Sequence, residues 1–282
     1  MNAGESSGKE LRSAEMDSLL ELMQDSDGVT ARLVRNRMDE LGWKAVRYCF
    51  LNLDRVVSPD MRAGVHRQLR EMSSACCIGD LAALLAEGSS FYVPDGMYLL
   101  TRIMMPELTP EEFRNCYMEP AGDLAGELRD SMTAVEKTEM LNYIVFDRCG
   151  FQLKPDSWDG FESPVLIPEL MEERRAGVVG LSAVYFLLAG TAGLPVYPVF
   201  PKVPGYYVAY FERGEALFSM DMSRCGRISD PVPRRSWMRT DFMGTDRTVL
   251  YLYATALRRF GCRTSRHVQA SLLDRALDML RL

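Results

Sequence analysis

One stretch limits what this chain can become more than any other: PELMEERRAGVVGLSAVYFLLAGTAGLPVYPVFPKVPGYYVAYFERGEALFSMDMSRCGRISD, residues 168–230. Within it, residues 178–192 offer an almost unbroken apolar surface, ended by Gly193 ahead of Pro195. A helix on a protein surface keeps a polar face; this one lacks it, so the pattern predicts a helix buried on every side. Residues 196–200, 206–211 and 216–220 follow as runs of β-branched and aromatic side chains, separated by Pro-Gly and Arg-Gly turns. Such runs predict an antiparallel meander packed on the helix.

Composition bounds the rest. With 282 residues, 47% of them hydrophobic, the chain has material for one large domain or two modest ones. Its formal net charge is -6, and Lys and Arg are dispersed among acids, which argues against a nucleic-acid partner. The apolar runs fall short of the ~20 residues a membrane helix needs. The N-terminus MNAGESSGKELRSAEM has no apolar targeting core. No membrane association is expected, and the reading is cytoplasmic. The cysteines stand at 49, 76, 77, 116, 149, 225 and 262, an odd number with no spaced Cys-x-x-Cys, so reduced thiols are expected. His66 and His267 are the only histidines, and nothing has zinc-ligand or phosphate-loop spacing. Neither a metal nor a cofactor is expected.

Residues 1–13, rich in Gly, Ser and charge, read as a flexible leader. Residues 14–90 read as a helical region: 13–23, then 29–41 with Val29, Leu33, Arg37 and Leu41 along one face, then 43–53, 58–72 capped by Ser58 ahead of Pro59, and 80–87. No period is sustained over three copies, so the expectation is a helical cap and not a solenoid. Residues 91–282 form the main domain. Thr109 caps a helix whose first turn holds Pro110, Glu111 and Glu112. Helices are predicted over 110–117, 121–132 and 133–149, the last with Val135, Met140, Ile144 and Val145 inward. Residues 152–167 read as an irregular loop over the cleft, anchored by Trp158 and Phe161, and 231–237 as a linker. Two terminal helices close the chain.

The order Arg175-Ala176-Gly177, buried helix, Gly193-Leu194-Pro195, strand, Pro204-Gly205-aromatic strand and Asp221 resembles the transglutaminase-like superfamily, most of all its bacterial SirB-like branch. The phrase DGMYLLTRIMMPELTPEEF at 95–113 and Gly150-Phe151 are similar to that branch as well. The resemblance implies an α+β fold: a helix-rich, transglutaminase-like (papain-like) core with a small antiparallel sheet, preceded here by the N-terminal helical cap. In catalytic relatives a Cys opens the helix, a His lies on a following strand and an Asp or Asn on the next. The helix N-terminus lowers the thiol pKa, the imidazole takes its proton, and the carboxylate orients the imidazole. Matched on the flanking glycines, this chain has Val179 at the nucleophile position and Tyr206 at the imidazole position, and keeps Asp221.

Other nucleophiles carry weaker signals. Ser182 has no base placed near it and reads as a helix-packing residue. Cys225 and Cys262 are the thiols nearest candidate chemistry, but Cys262 and His267 would lie about 140° apart on an ideal helix. The expected function is therefore a non-catalytic transglutaminase-like module that binds a protein or peptide or acts in regulation. The alternative is a cysteine hydrolase or acyltransferase with a relocated nucleophile.

Overall fold

The computed structural model describes residues 3–25, 28–88, 91–154, 165–199, 207–229 and 244–281. The chain divides into two compact units, residues 1–79 with 105–107, and residues 80–104 with 108–282. The first unit thus ends at Gly79, ahead of the division at 90 read from the sequence. Residues 80–86 complete a helix that Gly79 does not interrupt.

In the first unit, α1 (Ala3–Leu22), α2 (Gly28–Leu41), α3 (Trp43–Val56) and the start of α4 (Arg62–Ala86) enclose one apolar cluster built on Leu20, Val34, Met38, Val46, Cys49 and Leu69. α1 begins at Ala3, inside the stretch 1–13 expected as a leader. The face of α2 that turns inward holds Val34 and Met38, whereas Val29 and Leu33 are exposed at 56% and 64%, against the face expected. Residues 58–61 form a turn and α4 starts only at Arg62, while the Ser58 N–H donates to Gln24 Oε1 at 3.0 Å.

The second unit is organised around α9 (Val178–Thr191), whose residues from Val179 through Ala189 are all buried. Packed against it are α5 (Val93–Met104), α6 (Pro110–Glu127), α8 (Ile167–Glu173) and α10 (Asp246–Arg263), and α11 (His267–Leu280) packs on α10 and α5. Close approach depends on two glycines. A Cβ on Gly190 would stand 3.0 Å from Val93 Cβ, and one on Gly96 would meet Leu250 Cδ1 at 2.4 Å. The N-cap expected at Thr109 is present and closes into a capping box, with the Glu112 N–H donating to Thr109 Oγ1 at 3.1 Å and the Thr109 N–H to Glu112 at 2.9 Å. Thr133 and Glu136 build a second box at the start of α7 (Ala134–Asn142).

Two helices depart from expectation. Pro120 does not divide α6, since its buried face, Phe113, Tyr117, Ala121 and Leu124, runs past the proline and outweighs the missing N–H. After Asn142 the helix widens into a π-turn, Tyr143–Arg148, and Val135 at its far end is 42% exposed and not inward.

The meander is β3 (Val196–Val199), β4 (Tyr207–Glu212), β5 (Glu215–Asp221) and β6 (Arg227–Ser229), paired antiparallel in that order. Val199, Ala209 and Phe211 form a cluster on one face. The short pair β1 (Gln152–Leu153) and β2 (Arg175–Ala176) is parallel. This is the α+β architecture expected, a helix-rich unit with one small antiparallel sheet. The loop anchors Trp158 and Phe161, and the linker at 231–237, lie outside the described residues.

If α9 is the core of this unit, Leu188→Ala, at a fully buried position, lowers stability by about 2–5 kcal/mol. Leu51→Ala, at a side chain 76% exposed, stays within about 0.5 kcal/mol of the parent. Urea midpoints at constant slope read both.

Candidate functional site

The start of α9 is set by backbone pairing. The Gln152 N–H donates to the Arg174 carbonyl and the Lys154 N–H to the Ala176 carbonyl, both at 2.9 Å, which seats Gly177 as the N-cap. Arg174 makes this possible by taking a left-handed conformation, φ 52°, at the end of α8, with its guanidinium donating to the Cys149 carbonyl at 3.0 Å. No side chain caps α9. Its second residue is Val179, 8% exposed, an apolar side chain where the resemblance places a thiol. Ser182 donates to the Val178 carbonyl at 2.8 Å, as a helix-packing hydroxyl does.

Asp221 ends β5. Its Oδ1 accepts from the Ser223 N–H at 2.9 Å and the Ser223 hydroxyl at 2.6 Å, and Arg224 Nε lies 3.6 Å from Oδ2. The carboxylate thereby caps the 3-10 turn Met222–Arg224, which packs against α9. Tyr206 lies outside the described residues. The residue after it, Tyr207, pairs in register with Asp221. The fold therefore brings the Asp221 turn to α9, with the carboxylate occupied by its own turn.

Behind this turn stands a tie that the sequence reading missed. Asn142, the last residue of α7, donates from Nδ2 to the Gly226 carbonyl at 2.9 Å. Its Oδ1 accepts from the Tyr185 hydroxyl at 3.0 Å, and that hydroxyl also lies 3.3 Å from Met220 Sδ. Tyr185 is fully buried on α9, and burial pushes its phenol far above the usual range. Gly226 has φ 72°, and a Cβ there would fall 2.1 Å from Asn142 Oδ1 and 3.1 Å from Phe146. Gly226 is the one local signal for this turn; nothing local signalled Asn142.

The nearby thiol is not activated. Cys225 is exposed with φ 52°, and burial of the sulfur, together with Asp147, raises its pKa above the ordinary value. Cys149 is raised by burial too. Cys262 is exposed in the last turn of α10. His66 sits in the first unit, 3.2 Å from Glu107, and His267 opens α11, so neither histidine lies on the sheet. Among the described residues, no group of three or more His, Cys, Asp or Glu is gathered as for a metal ion.

A separate groove of about 800 Å³ runs between the start of α7 and the β4–β5 hairpin. Met132, Val135, Pro195 and Leu217 line it beside the stacked rings of Tyr210 and Phe218, 5.6 Å apart, with Lys137 and Glu212 among its polar residues.

A buried apolar helix feeding an antiparallel meander, with an aspartate at the end of its third strand, defines a helix-rich α+β domain. The family model described as the transglutaminase-like superfamily matches residues 116–255, from within α6 into α10, and the chain carries a transglutaminase-like domain there. No curated protein and no solved structure matches the chain. No helix among the described residues is long and apolar enough to cross a membrane.

The tie is testable by coupling. Gly226→Ala alone, which combines backbone strain with the collision on Asn142, costs at least about 2 kcal/mol. In an Asn142→Ala background the same change costs about 1 kcal/mol, mostly the left-handed backbone. Additive effects in urea unfolding would exclude the contact.

Proposed function

We propose that this domain is a non-catalytic relative of the SirB-like branch which binds a protein or peptide segment in the cytoplasm, with neither metal nor cofactor. The observation that carries the reading is Val179, a buried aliphatic side chain at the uncapped start of α9. A helix N-terminus stabilises a thiolate, but a valine offers it nothing to stabilise. A phenol at position 206, with an ordinary pKa of about 10, is no base near neutrality. None of the seven cysteines is in a disulfide, as a reducing compartment favours. In the groove the exposed Val135 and Leu217, beside the buried rings of Tyr210 and Phe218, supply an apolar lining for a side chain of the bound segment.

The second reading, a relocated nucleophile, has one observation in its favour: Cys225 is exposed directly after the Asp221 turn. Its raised pKa opposes that role, because at neutral pH the sulfur stays protonated.

Purified full chain shows no amine incorporation into glutamine peptides, no deamidation and no peptidase turnover. Turnover that vanishes in Cys225→Ala or Cys262→Ala would sink the non-catalytic reading. Peptides selected on the immobilised chain lose about tenfold or more in affinity with Leu217→Asp, and Leu51→Asp has no effect. Equal binding by both variants would move the site elsewhere. Alkylation of Cys225 by iodoacetamide, followed by mass spectrometry, rises with pH through a midpoint above that of an ordinary thiol, about 8.5. A midpoint below it would favour the relocated nucleophile.

A further inference from the structure

The acids of this chain are concentrated in one part of it. Residues 80–127 hold nine Asp and Glu and two Arg, a net of -7 in a chain whose total is -6. Several of the nine have structural duties. Asp80 pairs at 2.9 Å with Arg102, the buried one of the two arginines, Asp123 pairs with Arg148 at 2.8 Å, and Glu107 lies 3.2 Å from His66. Glu112 closes the capping box at Thr109, and Glu111 beside it suits the positive end of the α6 dipole. Glu87 and Asp95 have no such duty. Among the described residues, neither carboxylate accepts a hydrogen bond or stands in an ion pair.

These two acids border an apolar face. Rings run in file between α5 and α6: Tyr98 packs on Phe113 at 5.5 Å, Phe113 on Tyr117 at 5.7 Å, and the Tyr117 hydroxyl hydrogen-bonds with Tyr92. The first three are buried, and Tyr92, at the outer end, is 45% exposed. Asp95 follows in the same turn, its N–H donating to the Tyr92 carbonyl at 3.0 Å. Partial loss of water raises the Asp95 carboxyl above its usual range; Arg114 on α6 opposes the shift and Glu87 adds to it, so the three charges bear on one spot. Arg114 is exposed, and Met118, 48% exposed, lies one turn past it on the same side of α6. Tyr92, Asp95, Arg114 and Met118 therefore share one surface. Solvation accounts for acids on an outer helix face. It does not account for an exposed tyrosine and methionine around an unpaired carboxylate, and Tyr, Met and Arg are the side chains enriched where proteins meet.

We propose that this face docks a basic segment of a protein partner, with a Lys or Arg on Asp95 and Glu87 and an apolar side chain across Tyr92 and Met118. Charge decides the occupant. Two unpaired carboxylates against one guanidinium attract a cation, and the net -7 of residues 80–127 draws it from further away. The same charge repels an acidic segment, a nucleic acid and an anionic membrane. The surface shares no residue with the groove beside the β4–β5 hairpin.

The test uses the full chain and a fluorescein-labelled lysine-rich peptide with a single leucine, followed by anisotropy. The peptide binds, and its affinity falls about tenfold or more between ~50 and ~300 mM salt. Asp95→Asn and Met118→Gln each weaken it about threefold or more. Arg114→Gln, which removes the opposing charge, tightens it, an effect that unfolding cannot mimic. Asp39→Asn, the same change of net charge on α2, stays within about twofold of the parent. Far-UV circular dichroism and the urea midpoint check that each variant is folded, and Tyr92→Ser, expected to weaken binding too, replaces any that is not. The proposal is overturned by no binding below about 1 mM peptide, by folded Asp95→Asn and Met118→Gln variants that bind as the parent does, or by an Arg114→Gln variant that binds no tighter. Equal weakening in Asp39→Asn, or equal binding of a glutamate-rich peptide, overturns it as well. So does self-association of the chain that Met118→Gln abolishes and the peptide does not displace, since the occupant would then be a second copy.

Discussion

Burial of α9 in every direction is the constraint on which the second unit depends. A helix with no polar face has to be covered all round, and α5, α6, α7, α8 and α10 together with the β5–β6 turn do so. The cover is tight only because Gly190 and Gly96 let Val93 and Leu250 approach where a methyl group would collide. Polar groups carried inside find partners within the helix or at its surroundings: Ser182 and Thr191 donate to carbonyls one turn back, and Tyr185 reaches Asn142. A buried hydroxyl without a partner would cost about 1–3 kcal/mol, so these bonds are a condition of burying the helix at all.

The same packing governs the candidate site. β1 and β2 determine where α9 starts, the Asp221 turn leans on α9, and Asn142 fastens that turn from behind. A rigid framework of this kind would hold a nucleophile well. At its helix N-terminus, though, stands the side chain of Val179, and the carboxylate is used to cap its own turn. A fold is compatible with many functions, and what the site can do follows from its side chains. The groove beside the β4–β5 hairpin lies elsewhere on the unit.

The first unit obeys different physics. Its core is a single apolar cluster among amphipathic helices, bordered by ion pairs such as Arg55 with Asp17 and Arg37 with Glu15, each at 2.6 Å. Exposed pairs of this type contribute about 0–1 kcal/mol. The buried side chains Leu20, Met38 and Leu69 account for far more of what holds these helices together.

By itself the sequence determined the features whose cause is local. The unbroken apolar run dictated a buried α9, β-branched runs between turn residues dictated β3, β4 and β5, and Thr-Pro-Glu-Glu dictated the cap at Thr109. Hydrophobic period and capping chemistry act over a few residues, so they can be read from a window. Tertiary structure decided what depends on distant partners. Pro120 stays inside α6 because the buried face runs past it, and Val135 faces out although its period pointed in. Asn142 meets Gly226 across 84 positions and Tyr185 across 43. Such contacts have no local signature, since a side chain's partner is set by how helices and strands pack and not by its neighbours in the chain.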